Sequence, residues 1–324
     1  MPVVRLRLIL RNNCSYRRGV ILGAVALVAC LGIAMVTKSD NNKNEPIKVY
    51  DIKFCEDPSY DDRPQLPVVN CTCADPFVSE SWFENEGWKE QHQRMIQSAS
   101  ASSSANVDLV FLGDSITERI NGTRSMGQIM LPENRKVFEG HFGGSGSNFF
   151  GGNLTGIALG SSGDTSNNLL WHLQNGMMPD SLQPKYWFLL IGTNNLGRSG
   201  CSQESTVHGI REVIDYLQEK IPNAKIIIHG LLPRSDRAFE DVDYKVGVYW
   251  EKIQWINIRI AKKAIYDKNI FYMEAPDIFM DSPGTINAIT MADGVHPSVE
   301  GLKLWETRIV EYIENLQLES IPPP

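Results

Sequence analysis

The chain has 324 residues, 42% hydrophobic and 21% charged, with a formal net charge of −7. That is ordinary globular composition, enough for one sizeable α/β domain plus extensions. Residues 1–18 carry Arg5, Arg7, Arg11, Arg17 and Arg18 and no acid, so a total of −7 leaves the remainder at −12, which argues against nucleic acid or an anionic membrane surface as the body's partner.

Residues 1–18 read as a basic cytosolic tail. Residues 19–37 contain no charge, and a bilayer-crossing helix needs about 20 residues. The arginines precede this stretch, so the positive-inside rule places the body across the membrane. The expectation is a single-pass type II membrane protein, with the body lumenal (ER/Golgi) or extracellular. Two alternatives remain open. A cleaved signal peptide usually has a shorter apolar core, of about 7–15 residues. Leu27-Val-Ala-Cys30 resembles a bacterial lipoprotein box, but the apolar run continues past Cys30.

Residues 38–80 read as a stem, with Asp61-Asp-Arg-Pro64 and Leu66-Pro67 breaking regular structure. Cys55, Cys71 and Cys73 lie here, and Cys201 lies in the body. A translocated body permits disulfides, but their connectivity is not readable from spacing. Asn70, Asn121 and Asn153 head glycosylation sequons. The catalytic body is expected over 81–317, with 318–324 as a C-terminal tail.

Trp82–Ser98 has the spacing of an amphipathic helix, with Trp88, Met95 and Ile96 on its apolar side. His92 on that helix reads as structural. Ser98–Ala105 is a low-complexity connector. Residues 107–112 form an apolar run that suits a strand buried on both faces of a parallel sheet. The run stops at Gly113-Asp114-Ser115, so Ser115 falls just past a strand's C-terminal end, where ligands bind in open α/β sheets. A serine there is a candidate nucleophile if a base can reach it. The plainer reading is an N-cap for the next helix. The long segment after Ser115 ends in the Gly-rich stretch 140–152, read as a lip on the substrate mouth, with Phe149 and Phe150 as contacts, or as a solvent-facing insertion.

Gly160-Ser-Ser-Gly163-Asp164-Thr165 follows the apolar segment Leu154–Leu159. Gly192-Thr193-Asn194-Asn195 follows the strand-like run 186–191. A glycine N–H and an asparagine amide are suitable donors to an oxyanion. Helices are expected at Thr165–Gln174, Gln203–Lys220, Val246–Tyr266 and Ser298–Leu316, and strands at Lys225–Gly230 and Ile270–Met273. This alternation implies a parallel sheet with helices on both faces. Asp293-Gly-Val-His296-Pro297 closes the set: a carboxylate three residues before a histidine can orient its imidazole from the same loop. There is no Gly-x-Ser-x-Gly elbow, no His-Glu-x-x-His and no Walker lysine. His141, His172, His208 and His229 form no ligand pair, and His229 reads as a satisfied core histidine. No metal and no cofactor are expected.

Gly-Asp-Ser at 113–115, Gly163 before Asp164, Gly-Thr-Asn at 192–194 and Asp-x-x-His at 293–296, in this order, resemble the four blocks of the SGNH (GDSL-type) esterase/lipase superfamily. Residues 163–171 and 192–195, with Trp88-Lys-Glu-Gln-His92, resemble its platelet-activating-factor acetylhydrolase catalytic-subunit group. The resemblance spans about residues 82–316. Many members have Gly-x-Asn-Asp; here Asn195 replaces the Asp. The resemblance implies a flavodoxin-like three-layer α/β/α sandwich with a central parallel sheet. It implies catalysis by Ser115, His296 and Asp293. It implies an oxyanion hole from the N–H groups of Ser115 and Gly163 and the Asn194 side chain. Residues beside these groups, Ile116, Thr193 and Val295, match the small acyl pocket of the acetylhydrolases.

The expected activity is that of a serine esterase acting on a short-chain, acetyl-type O-acyl ester of a carbohydrate or lipid. The alternatives are a lumenal O-acyltransferase to a glycan and a non-catalytic membrane-anchored binding protein.

Overall fold

The structure, a computed structural model, describes residues 72–101, 107–144, 154–235 and 249–319. The expected membrane segment 19–37, the expected tail 1–18, most of the stem, Cys55, Cys71, Asn70, Asn153, Phe149 and Phe150 lie outside the described residues. Among the described residues no helix is long and apolar enough to cross a membrane.

In chain order the elements are α1 (Glu86–Ala101), β1 (Leu109–Gly113), α2 (Ser115–Ile120), a short ribbon β2 (Thr123–Arg124) and β3 (Ile129–Met130), and α3 (Pro132–Phe142). Then come β4 (Gly156–Gly160), α4 (Ser166–His172), β5 (Tyr186–Leu190), α5 (Thr193–Gly197), α6 (Gln203–Lys220) and β6 (Lys225–His229). The last are α7 (Tyr249–Tyr266), β7 (Ile270–Met273), a second ribbon β8 (Met280–Ser282) and β9 (Thr285–Ile286), and α8 (Val299–Glu319).

Five strands form one sheet in the order β4-β1-β5-β6-β7, all parallel. Taken in chain order, the second sheet strand lies on one side of the first and the remaining three on the other, which is the flavodoxin-like order. The order reverses at β1, so the switch point lies at the C-terminal ends of β4, β1 and β5. β1 and β5 are buried along their whole length, as their unbroken apolar runs require. Helix α3 packs on α8, while α6 packs on both α4 and α7. Phe111 of β1 sits in an aromatic cluster with Phe138, Phe142 and Phe188.

Two glycines fix how closely the chain turns at the switch point. Gly113 and Gly160 are register partners at the ends of β1 and β4. A Cβ on Gly113 would lie 2.3 Å from Leu190 O, and one on Gly160 would lie 2.5 Å from Asp114 O. No side chain fits in either place, so α2 starts hard against both strand ends.

Several boundaries differ from the sequence expectation, for local reasons. α1 begins at Glu86 rather than Trp82, because the Asn85 side chain accepts the Trp88 N–H at 3.1 Å and caps the helix there. Helix α3 was not expected. Its signal is Pro132 in the first turn followed by Glu133. Gly140, His141 and Phe142, read as the start of a lip, instead end α3 and are buried; residues 145–153 lie outside the described residues. The described part of the stem is tied to the body. Thr72 N donates to Ser199 O at 3.0 Å, the Asn167 amide donates to Asp75 O and Val78 O, and Cys73 is bonded to Cys201. His229 is a core histidine. It bonds Gly230 O at 2.6 Å and accepts from Trp305 Nε1 at 3.1 Å, and burial pushes its pKa down to about 4.

Candidate active site

Ser115 is the first residue of α2. Asp114 caps that helix, its carboxylate accepting the Ile116 N–H at 2.9 Å. The cap and the nucleophile readings therefore belong to adjacent residues. Ser115 Oγ lies 2.9 Å from His296 Nε2, and His296 Nδ1 lies 2.7 Å from Asp293 Oδ2. A proton on Nδ1 facing the carboxylate leaves Nε2 as the acceptor for the serine hydroxyl.

The Asp293 loop is built to hold this geometry. Its Oδ1 accepts the N–H groups of Val295 at 3.0 Å and His296 at 2.6 Å. Its Oδ2 also accepts from Arg119 at 3.0 Å. Burial pulls the Asp293 carboxyl upward, but the hydrogen bond and charge of His296 and the Arg119 guanidinium outweigh it. The group stays well below the usual carboxylate range. Burial pushes the His296 imidazole down, Asp293 pulls it back up, and the charges of Arg119 and Arg234 push it down again. The net position is below the ordinary histidine value. Arg119 was missed in the sequence. Its signal is position: it follows Ser115 by one helical turn on α2.

The other half of the site lies on the loops after β4 and β5. Asn194 Nδ2 donates to Asp164 O at 2.9 Å, which uses one of its two N–H groups. Gly163 has φ of 88°, a left-handed conformation that favours glycine. The Asp164 carboxylate is anchored from behind. Trp88 Nε1 donates to Oδ1 at 2.8 Å, and His172 Nε2 lies 3.0 Å from Oδ2. His172 in turn meets His92, Nδ1 to Nδ1, at 2.8 Å. Trp88 and His92 of α1 thus brace the Gly163 loop, which gives His92 its structural place. Glu118 braces the same loop from α2, accepting Ser162 N–H at 2.8 Å. Asn195, which stands where many family members have Asp, exchanges two hydrogen bonds with Ser166, at 3.0 and 2.9 Å. It ties the β5 loop to α4, a task that needs both a donor and an acceptor.

Ser115, His296 and Asp293 are joined by hydrogen bonds. Gly163 and Asn194 are joined to each other through Asp164 and follow β4 and β5, the strands flanking β1. Ile116 is buried in the hydrophobic core, Thr193 is buried with its hydroxyl accepting from Arg234 at 3.2 Å, and Val295 is half-buried in the Asp293 loop. Among the described residues no cluster of His, Cys, Asp and Glu has the makings of a metal site.

A family model described as GDSL-like Lipase/Acylhydrolase matches residues 111–304. The chain is 24% identical over 225 residues to the human platelet-activating factor acetylhydrolase IB subunit alpha2, covering 69% of this chain and 82% of that one. It has the same identity to alpha1 of Bos taurus over 211 residues, 65% of this chain and 75% of that one. Among solved structures, a provisional acylhydrolase from Bacteroides fragilis superposes with a TM-score of 0.51 at 22% identity, covering 74% of this chain and 99% of that one. That likeness concerns the fold.

Proposed function

The chain belongs to the GDSL-like lipase/acylhydrolase family, and from that premise we propose that it is a serine esterase whose reacting groups are Ser115, His296 and Asp293. The observation that carries the reading is the continuous chain of hydrogen bonds from Ser115 Oγ to His296 to Asp293, 2.9 and 2.7 Å long. Ser115 Oγ attacks the ester carbonyl carbon while His296 Nε2 takes its proton. The N–H groups of Ser115 and Gly163 and the second N–H of Asn194 receive the developing oxyanion; each such donor is worth about 2.7–4 kcal/mol in the transition state. The alcohol then leaves with the proton from His296. Water attacks the acyl-serine by the same route in reverse. Asp293 holds the imidazole tautomer and its charge throughout.

The substrate is a short-chain O-acyl ester of a carbohydrate or lipid. The acetylhydrolase names of the relatives support an acetyl-sized acyl group. Ile116, Thr193 and Val295 adjoin Ser115, Asn194 and His296 in the sequence, and Ile and Val are stiff at χ1. With these residues limiting the acyl site, each added methylene changes discrimination by about 10–200-fold. The expected result is that p-nitrophenyl acetate is cut much faster than the octanoate, measured as kcat/KM, and that Val295→Ala narrows the gap. A rate that rises with chain length would contradict the small acyl site.

The uncharged stretch 19–37 behind five arginines supports a type II anchor with the enzyme body lumenal or extracellular. Deleting residues 1–37 is expected to give a soluble, active esterase. Release of the full-length protein from membranes by carbonate wash alone would rule out a spanning anchor.

A further inference from the structure

Two cations beside the site have no part in the chemistry above. Arg198 ends α5, and its guanidinium donates to Gly163 O at 3.2 Å. Arg234 follows β6 and donates to both Thr193 O and Thr193 Oγ1 at 3.2 Å. One therefore touches the residue that bears the Gly163 N–H, and the other the residue just before Asn194. They bracket the oxyanion donors.

Both guanidiniums lie close against a glycine. A Cβ on Gly163 would lie 2.2 Å from Arg198 Nη1, and a Cβ on Gly197 would lie 2.2 Å from Arg234 Cζ. Arg198 is further fixed by stacking on Trp82, 3.9 Å from the ring centroid. Such pre-positioning lowers the ordering cost of binding an anion.

Among the described residues neither of these two guanidiniums is ion-paired. Arg119 is matched by Asp293 at 3.0 Å. Asp164 is bonded from behind by Trp88 and lies 3.0 Å from His172 Nε2. Asp114 and Asp164 act on Arg234 and Arg198 through their charge, but neither carboxylate bonds a guanidinium; burial pushes the Asp114 carboxyl up to about 7. Among the described residues no carboxylate pairs with Arg198 or Arg234; they donate only to neutral oxygens. Arg234 also keeps a buried Nε with no hydrogen-bond partner. Two guanidiniums with no ion-pair partner among the described residues, set beside the reacting centre, favour an anion there.

On these grounds, which rest on the esterase reading, we propose that the ester substrate carries an anionic group, carboxylate or phosphate, bound between Arg198 and Arg234 beside the acyl group. The natural substrate is then an O-acyl ester of an acidic sugar or an acidic lipid head, rather than of a neutral one.

The test uses three matched acetyl esters: 3-acetoxybenzoate, 3-acetoxyphenyl phosphate and the neutral methyl 3-acetoxybenzoate. The wild-type protein is expected to show kcat/KM at least about tenfold higher for one of the two anionic esters than for the methyl ester, the size of one hydrogen bond to a charged group. That ratio should shrink as salt is raised. Arg198→Gln and Arg234→Gln should each bring the ratio toward one, while Arg198→Lys and Arg234→Lys retain part of it. Which anionic ester leads tells carboxylate from phosphate. A wild-type ratio of one or less overturns the proposal without need of any variant, and so does a ratio that survives both glutamine substitutions. Ser115→Ala separates this from the underlying reading: if it still cleaves all three esters at the wild-type rate, the esterase assignment fails, not only the anion site.

Discussion

Ser115→Ala is expected to lower kcat for p-nitrophenyl acetate by about 10⁴-fold or more. The reason is that one atom makes the acyl bond. Without Oγ there is no acyl-enzyme, and His296 can at best direct water onto the ester. The oxyanion donors remain, so a residual rate of about 10³–10⁴-fold over the uncatalysed reaction should persist. The fold should be untouched. Helix α2 is capped by Asp114, not by Ser115, and the bond of the Ser115 hydroxyl is the 2.9 Å contact with His296. Circular dichroism and the thermal midpoint should therefore match the wild type. Near-full turnover by a folded Ser115→Ala protein would sink the assignment.

His296→Ala should cost a similar factor, about 10⁴-fold or more, because the serine loses its base and the leaving alcohol its acid. The wild-type pH profile carries the finer information. The imidazole must be neutral to accept a proton, so kcat/KM falls as pH drops through the folded-state pKa. Burial and the charges of Arg119 and Arg234 depress that pKa, and Asp293 recovers only part of the loss. The base therefore survives to lower pH than a free histidine, and the acid limb should have its midpoint below the ordinary value of about 6.5. A midpoint well above that value, or a rate flat from pH 8 to pH 4, would place the base elsewhere.

The parts legible in the sequence were those set by local chemistry. The run ending at Gly113 suits a buried strand with a tight turn after it. Asp293 and His296 share one loop, so their contact needs no long-range information. The alternation of apolar runs and amphipathic stretches implied the parallel sheet, and Gln203–Lys220 and Ile270–Met273 have the bounds that their patterns suggest.

What escaped depends on chain segments far apart. Glu118 and Arg119 are charged residues on a short helix, a pattern that normally marks a solvated face. Here they point back into the site, toward Ser162 and Asp293. The path Trp88–Asp164–His172–His92 joins α1 to the loop after β4 and the end of α4. Cys73 and Cys201 are separated by 128 residues, and only the docking of the segment near residue 72 beside Ser199 brings them together. Arg198 and Arg234 escaped for the same kind of reason: Arg198, just after α5, meets Gly163 after β4, and Arg234, after β6, meets Gly197 at the end of α5.

The most direct test of the central claim is covalent. The protein is treated with a fluorophosphonate, which phosphonylates an activated serine, then digested and mapped by mass spectrometry. One adduct is expected per chain, on the peptide containing Ser115. It should be lost in Ser115→Ala and form far more slowly in His296→Ala. An adduct on a different residue, or labelling of Ser115→Ala at the wild-type rate, would contradict the account.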